Sequence, residues 1–221
     1  MNSFAERYAF YKSQIPETTQ LLPVSKTQSE AVILNAYHAG CKNFGENYVQ
    51  ELHQKQARLP QDICWHFIGH LQRNKVSRIL PYTYLIHSLD RIELAVEIEK
   101  QAAKINKIQS VLIQLHIATE SSKFGFSDSE LLQFLNNYNP AVFPHLKIKG
   151  IMAMASLTQN MEQIEREFQH AQQTFHQLKL RIPEAEILSM GMSSDFPLAI
   201  KHGSTLIRMG TALFGSRTQS T

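Results

Sequence analysis

Short runs of apolar residues recur along the chain, and most are followed by a longer stretch with helical spacing. The short runs read as strands: "LLPVS" (21–25), "NFGEN" (43–47), "CWHFIG" (64–69), "YLIHSL" (84–89), "SVLIQLHI" (110–117), "IKGIMAMA" (148–155), "EILSMG" (186–191) and "TLIRMG" (205–210). The clearest helical stretches are "DRIELAVEIEKQAAKI" and "NMEQIEREFQHAQQTFHQL". In the first, Ile92, Ala95, Val96 and Glu99 carry the spacing of a face only partly apolar. "SEAVILNAYHAG" ends on Gly40, the residue best suited to a left-handed helix C-cap.

Eight strands alternating with helices predict an α/β fold, a single (β/α)8 TIM-like barrel of parallel strands. An open doubly wound sheet stays open as the alternative, because periodicity does not give strand order. Little chain follows the eighth strand, so residues 2–14 are expected to pack as an extra helix in the vacant outer place. The reading is one domain over 1–221, with 1–19 as the N-terminal helical segment and 216–221, "SRTQST", as a disordered tail. Pro23 breaks a local rule, since it has no N–H for a ladder. Either the first strand starts at Pro23 or Val24, or a bulge lies there.

Composition changes this picture little. Of 221 residues, 43% are hydrophobic and 19% charged, an ordinary globular balance. A net charge of +3 is too small to argue for nucleic acid or an anionic membrane. Cys41 and Cys64 have no C-x-x-C spacing and read as reduced thiols. The N-terminus "MNSFAERYAFYKSQ" lacks the apolar core of a signal peptide, and no apolar run approaches the ~20 residues of a membrane helix. The expected address is the cytoplasm.

The active face of such a barrel lies at the C-terminal ends of its strands. Those ends carry Lys26, Asn47, Gly69 with His70, Ser88, "ATESSKFGF", Met154, "GMSSD" and "RMGTALFG". Loops after the seventh and eighth strands often bind phosphate. Ser193 and Ser194 precede a helix that Asp195 is suited to cap, while Gly210 and Thr211 offer close backbone approach and a hydroxyl. In a closed barrel the first strand adjoins the eighth, which puts the Lys26 amine beside that phosphate site. An aldehyde–phosphate cofactor, pyridoxal phosphate, needs this pairing.

The stretches "VSKTQ", "FGENYVQE", "WHFIGHLQRNK", "IHSLDR", "SKFGF", "GIMAMA", "LSMGMSSDF" and "STLIRMGTALFG" occur in this order over residues 20 to 215. Together they resemble the pyridoxal-phosphate homeostasis proteins, whose fold is that of the N-terminal barrel of alanine racemases. The resemblance implies that Lys26 holds the cofactor as a Schiff base and that Arg208 faces its pyridine nitrogen. It further implies that Ser193, Gly210 and Thr211 bind the phosphate, with Asn47 in the pocket. Pro23 and His70 depart from the common residues of that family, alanine and proline.

An arginine only donates and cannot accept a hydrogen bond from a protonated pyridine nitrogen, so the ring should stay unprotonated, which disfavours carbanion chemistry. In the related racemases a second base comes from a separate domain, for which this chain leaves no room. The expectation is a monomeric, non-catalytic carrier that buffers pyridoxal phosphate or delivers it to apo-enzymes. A low-activity racemase or lyase is the alternative, with Tyr48 or His66 as a borrowed base. Lys123 is a candidate second docking amine. His66 and His70 lack a third clustered ligand and read as satisfied core or rim residues rather than metal ligands. No G-x-G-x-x-G, P-loop or G-x-S-x-G is present.

Overall fold

The computed structural model describes residues 3–120 and 124–215. Eight parallel strands follow one another: β1 (Gln20–Pro23), β2 (Asn43–Glu46), β3 (Cys64–Phe67), β4 (Thr83–Leu89), β5 (Gln109–Leu115), β6 (Leu146–Ala153), β7 (Ile187–Ser189) and β8 (Leu206–Met209). The helices are α1 (Phe4–Ser13), α2 (Glu30–His38), α3 (Val49–Arg58), α4 (Val76–Ile79), α5 (Ile92–Lys104), α6 (Asp128–Asn137), α7 (Met161–Arg181), α8 (Phe196–Lys201) and α9 (Thr211–Phe214). Spatial order is β1-β8-β7-β6-β5-β4-β3-β2. The end strands meet through a bridge between Val24 and Gly45, where the Ser25 N–H donates to Gly45 O at 2.9 Å. The sheet is thus a nearly closed barrel, and the open doubly wound alternative is excluded.

Pro23 explains why that seam is only a bridge. Gln20 and Val24 donate their N–H groups toward β8, at 2.8 Å to Thr205 O and 2.7 Å to Met209 O. N–H groups at the intervening odd positions face β2, and at position 23 there is none. The strand neither starts at Pro23 nor bulges there: it runs in unbroken register with β8 and ends on the proline.

The expected strands are all present, with shifted ends. β6 begins at Leu146, before the predicted 148, because Lys147 interrupts the apolar pattern but still pairs with Ser110; the register with β5 slips only at Lys149. The predicted face of α5 needs correction. Leu94, Ala95, Ile98 and Ala102 are buried, whereas Val96 is 52% exposed. Glu99 turns instead to His145, accepting from its backbone N–H and pairing with its Nδ1, both at 2.8 Å. Two faces of α5 satisfy the same spacing, and packing chose the more apolar one. α2 follows its signals: Ser29 caps Val32, and Gly40 beyond the C-cap takes φ +93.

Most of the core lies between the strands and the surrounding helices, with Phe44, Phe67 and Phe168 fully buried. A second cluster joins Leu21, Ile207, Met209, Leu213 and Phe196 to Phe4, Tyr8 and Tyr11. This is α1 covering the outer wall of β1 and β8, where the four-residue α9 is too short to do so. Arg7 Nε fastens it by donating to Leu213 O at 2.5 Å. Inside the barrel the apolar filling is small, chiefly Leu85, Leu112 and Met152. The rest of that interior is polar. In β4 the register with β5 slips between Ile86 and Leu89, so His87 and Ser88 together oppose Leu112.

Candidate functional site at the barrel mouth

Strand alternation puts Lys26 in phase with Leu22 and Val24, on the inner face beyond the end of β1. It is partly buried, and its Nζ has no hydrogen-bond or ion-pair partner among the described residues. Its neighbours, by contrast, are pinned. The Ser25 hydroxyl donates to Glu46 Oε1 at 2.5 Å, and the Ser25 carbonyl accepts from Lys55 Nζ at 2.9 Å. On the other side the Thr27 N–H donates to Glu51 Oε2 at 2.7 Å. Lys55 joins the two acids, at 2.9 Å from Glu46 and 2.8 Å from Glu51.

This cluster lies between the barrel wall and α3. The Glu46 side chain is 0% exposed, and burial pushes its carboxyl above the ordinary range against the pull of Lys55 and Ser25. Thr27 sits at φ +63, a conformation costing a β-branched residue about 1–3 kcal/mol. The clamp therefore holds a strained turn, and the strained turn carries an unengaged amine.

Arg208 rises from β8 into the barrel and is only 4% exposed. Nη1 donates at 2.7 Å to both the carbonyl and the hydroxyl oxygen of Ser189, and Nη2 donates to Ala153 O at 3.0 Å. Three N–H groups are spent in this way, and the other two of a guanidinium's five are left over. Burial lowers its pKa to about 10, opposed by the charge of Asp195, so it stays cationic at neutral pH.

From Arg208 a hydrogen-bonded chain crosses the interior. Ser189 Oγ is 3.2 Å from His87 Nδ1, His87 Nε2 is 2.9 Å from His66 Nδ1, and His66 Nε2 is 3.0 Å from Asn43 Oδ1. Arginine only donates and the Asn43 oxygen only accepts, so both ends demand one polarity. Ser189 turns its proton to His87, which donates from Nε2 to His66, which donates from Nε2 to Asn43. Both imidazoles are neutral: burial drops His66 to about 3 and His87 well below its ordinary value.

The remaining expected residues border the same mouth. Gly210 follows β8, and a Cβ built on it would lie 3.5 Å from Val24 O and 3.6 Å from Val24 Cβ. The missing side chain thus leaves space beside the strand that leads to Lys26. Thr211 opens α9 and is exposed, as is Ser193 in the loop from β7 to α8. Asp195 occupies the N-cap position of α8, but its Oδ1 accepts from the Met192 N–H at 2.5 Å. Asn47 follows β2, and its Oδ1 is buried without a hydrogen-bond partner. Gly69 must be glycine, because a Cβ would meet Asn47 O at 2.1 Å.

All six expected residues therefore stand on, or in the loops just beyond, four strands consecutive around the barrel: β7, β8, β1 and β2. Among the described residues, no hydrogen bond joins the side chain of one to that of another. A cavity of about 340 Å³ lined by Arg91, Ile92, Phe126 and Phe134 lies elsewhere and includes none of them. His70 pairs with Asp90 at 3.0 Å and stacks on Phe124. Among the described residues, no three His, Cys, Asp or Glu side chains converge on a metal position. Lys123 and the tail at 216–221 lie outside the described residues. The Lys55 clamp and the histidine chain escape a reading by strand ends. Only the i,i+4 spacing of Glu51 and Lys55 hints at the first.

Comparison with known proteins agrees with this fold. The family model for the alanine racemase N-terminal domain matches residues 1–218. The pyridoxal phosphate homeostasis protein of Haemophilus influenzae is 41% identical over 209 residues, covering 92% of this chain and 87% of the relative. The chain belongs to the pyridoxal phosphate homeostasis protein family. Another member of that family, from Aquifex aeolicus, is 42% identical over 200 residues, covering 90% of this chain and 87% of its own. PipY of Synechococcus elongatus, solved with pyridoxal phosphate bound, is 36% identical with a TM-score of 0.87, covering 96% of this chain and 100% of PipY. An alanine racemase from Bartonella henselae shares the fold, at 19% identity and a TM-score of 0.73, covering 98% of this chain and 60% of the racemase. No helix among the described residues is long and apolar enough to cross a membrane.

Proposed function

We propose that this protein binds pyridoxal phosphate at the barrel mouth and holds it for intracellular cofactor homeostasis, without a dedicated substrate reaction. The observation that carries the reading is an unengaged lysine amine on a clamped turn, two residues beyond the Val24 that Gly210 faces, on the strand paired with the one that carries a buried arginine with unspent donors. The donor set fits the group. Lys26 supplies the amine, Arg208 two spare N–H groups for a ring nitrogen, and Ser193, Gly210 and Thr211 neutral donors and space for a phosphate. The unpartnered Asn47 Oδ1 is a further polar atom awaiting a partner there.

Pyridoxal phosphate, when bound, supplies an aldehyde that condenses reversibly with an amine. Everything else is the chain's own work. Arg208 keeps its charge at neutral pH and donates without accepting, so it hands the ring nitrogen no proton. An unprotonated ring is a weak electron sink, which favours storage over carbanion chemistry. His66 is not available as a substrate base, since both its nitrogens are engaged and its proton affinity is low. A reversible attachment suits delivery to apo-enzymes that need this cofactor.

The test is a visible absorption spectrum of the purified protein, then borohydride reduction and peptide mass mapping. A band that reduces to a pyridoxyl group on Lys26 supports the reading; a colourless protein that takes up no added cofactor sinks it. Exchange of an amino acid's α-hydrogen with deuterated water, abolished by Lys26→Ala, would favour the racemase or lyase alternative. Tyr48, half exposed at the start of α3, is then the base to replace.

A further inference from the structure

Two neighbouring strands, β6 and β7, hold one guanidinium, and the manner of holding is unusual in what it leaves out. An arginine buried this deeply is ordinarily fixed by a carboxylate, which neutralises it and shares its protons. Arg208 is fixed instead by a backbone carbonyl of β6 and by both oxygens of Ser189 on β7. The Ser189 hydroxyl can accept from Arg208 with a defined orientation only because its own proton is committed to His87 Nδ1 at 3.2 Å. His87 is in turn held by His66, and His66 by Asn43. Removing any link frees the rotor on the link before it.

We propose that Asn43, His66, His87 and Ser189 form a positioning chain for Arg208, fixing the spare donors that face the cofactor ring and denying that ring a proton. The inference rests on the pyridoxal phosphate reading above. The chain has one polarity, and it ends on an amide oxygen that neither gives nor takes a proton. It is therefore a brace and not a conduit. Among the described residues, the titratable and charged groups facing Arg208 or its brace are His66 of β3, His87 of β4, Tyr84 of β4 with its ring 5.4 Å from that of His66, and Asp195 of the loop after β7. Asp195 acts on Arg208 through its charge and accepts the Met192 N–H at Oδ1.

The experiment uses Ser189→Ala, His87→Leu and their double variant, with His87→Gln as the conservative replacement able to accept and donate. Each is loaded with pyridoxal phosphate labelled with ¹⁵N in the ring. In the unmodified protein the ring resonance should stay at its unprotonated position from about pH 8 to about pH 6. In Ser189→Ala and His87→Leu it should titrate toward the protonated position within that range, and the dissociation constant should rise about tenfold. The double variant should be no worse than either single one, because the chain acts as a unit. His87→Gln should recover most of the original behaviour. Melting of the cofactor-free variants separates lost folding from lost positioning, and Ser189→Ala, the smaller change, carries the test if His87→Leu does not fold.

A ring resonance and affinity unchanged in Ser189→Ala overturn the inference while leaving the cofactor reading intact. Additive losses in the double variant also overturn it. An unmodified protein that binds no pyridoxal phosphate overturns both.

Discussion

Lys55→Met tests the clamp beneath the candidate amine. The substitution keeps the length and the apolar stem of the side chain but removes its bonds to Ser25 O, Glu46 Oε1 and Glu51 Oε2. Glu51 is partly exposed and can turn to water, whereas Glu46 is fully buried and already has one oxygen without a partner. Breaking a buried pair from one side costs about 3–5 kcal/mol, because a charge is left without compensation. In a chain of this size that lowers the melting temperature by about 6–20 °C. Glu46 can escape by taking up a proton, and burial already favours this. The loss of stability should therefore be largest at about pH 8 and shrink toward about pH 5, where protonation is cheap. Urea unfolding of both proteins at the two pH values reads the difference directly. Adding Glu46→Gln to Lys55→Met should restore part of the stability and remove the pH dependence. A loss that is the same at both pH values, or one untouched by Glu46→Gln, would refute the idea that the stranded carboxylate is its source.

Other outcomes follow from the same structure. Lys26→Ala should abolish the borohydride-trapped pyridoxyl adduct while some non-covalent cofactor binding persists, as seen by mass mapping and equilibrium dialysis; an adduct retained at full yield would remove Lys26 from the role. Thr211→Val deletes the hydroxyl we propose binds the phosphate, a bond worth about 1.5–3 kcal/mol, or about 10- to 150-fold in the dissociation constant. An unchanged value would take Thr211 out of the site. The buried histidines set an acid limit. Their folded pKa values lie below the unfolded ~6.5, so the unfolded state binds more protons and stability falls as pH drops from about 6.5 toward about 3. The slope is up to about 1.4 kcal/mol per pH unit for each histidine, and His66→Gln should flatten it in denaturant titrations.

Local pattern was enough for the alternation of strands and helices and for the residues at the strand ends, while the outer place of the N-terminal helix was inferred from the little chain left after β8. Those depend on side-chain period and on termination signals such as Ser29 and Gly40, which act within a few residues. The α5 face was misread because Ile92, Ala95 and Val96 satisfy the same spacing as Leu94, Ala95 and Ile98, and only burial against a neighbour separates them. Pro23 was recognised as an anomaly, but its consequence is a property of the seam. Which neighbour loses a donor depends on which strand closes the barrel.

The amino-acid sequence by itself determined the class of fold, the family and the six candidate cofactor residues, because each rests on short motifs and their order. Tertiary structure alone decided how those residues are held. Glu46 meets Lys55 across a strand–helix interface, and Arg208 reaches Asn43 through side chains from β7, β4 and β3. Such partners are separated by many residues and are matched by strand order and register, which arise from the closure of the whole sheet and have no local signature in the chain.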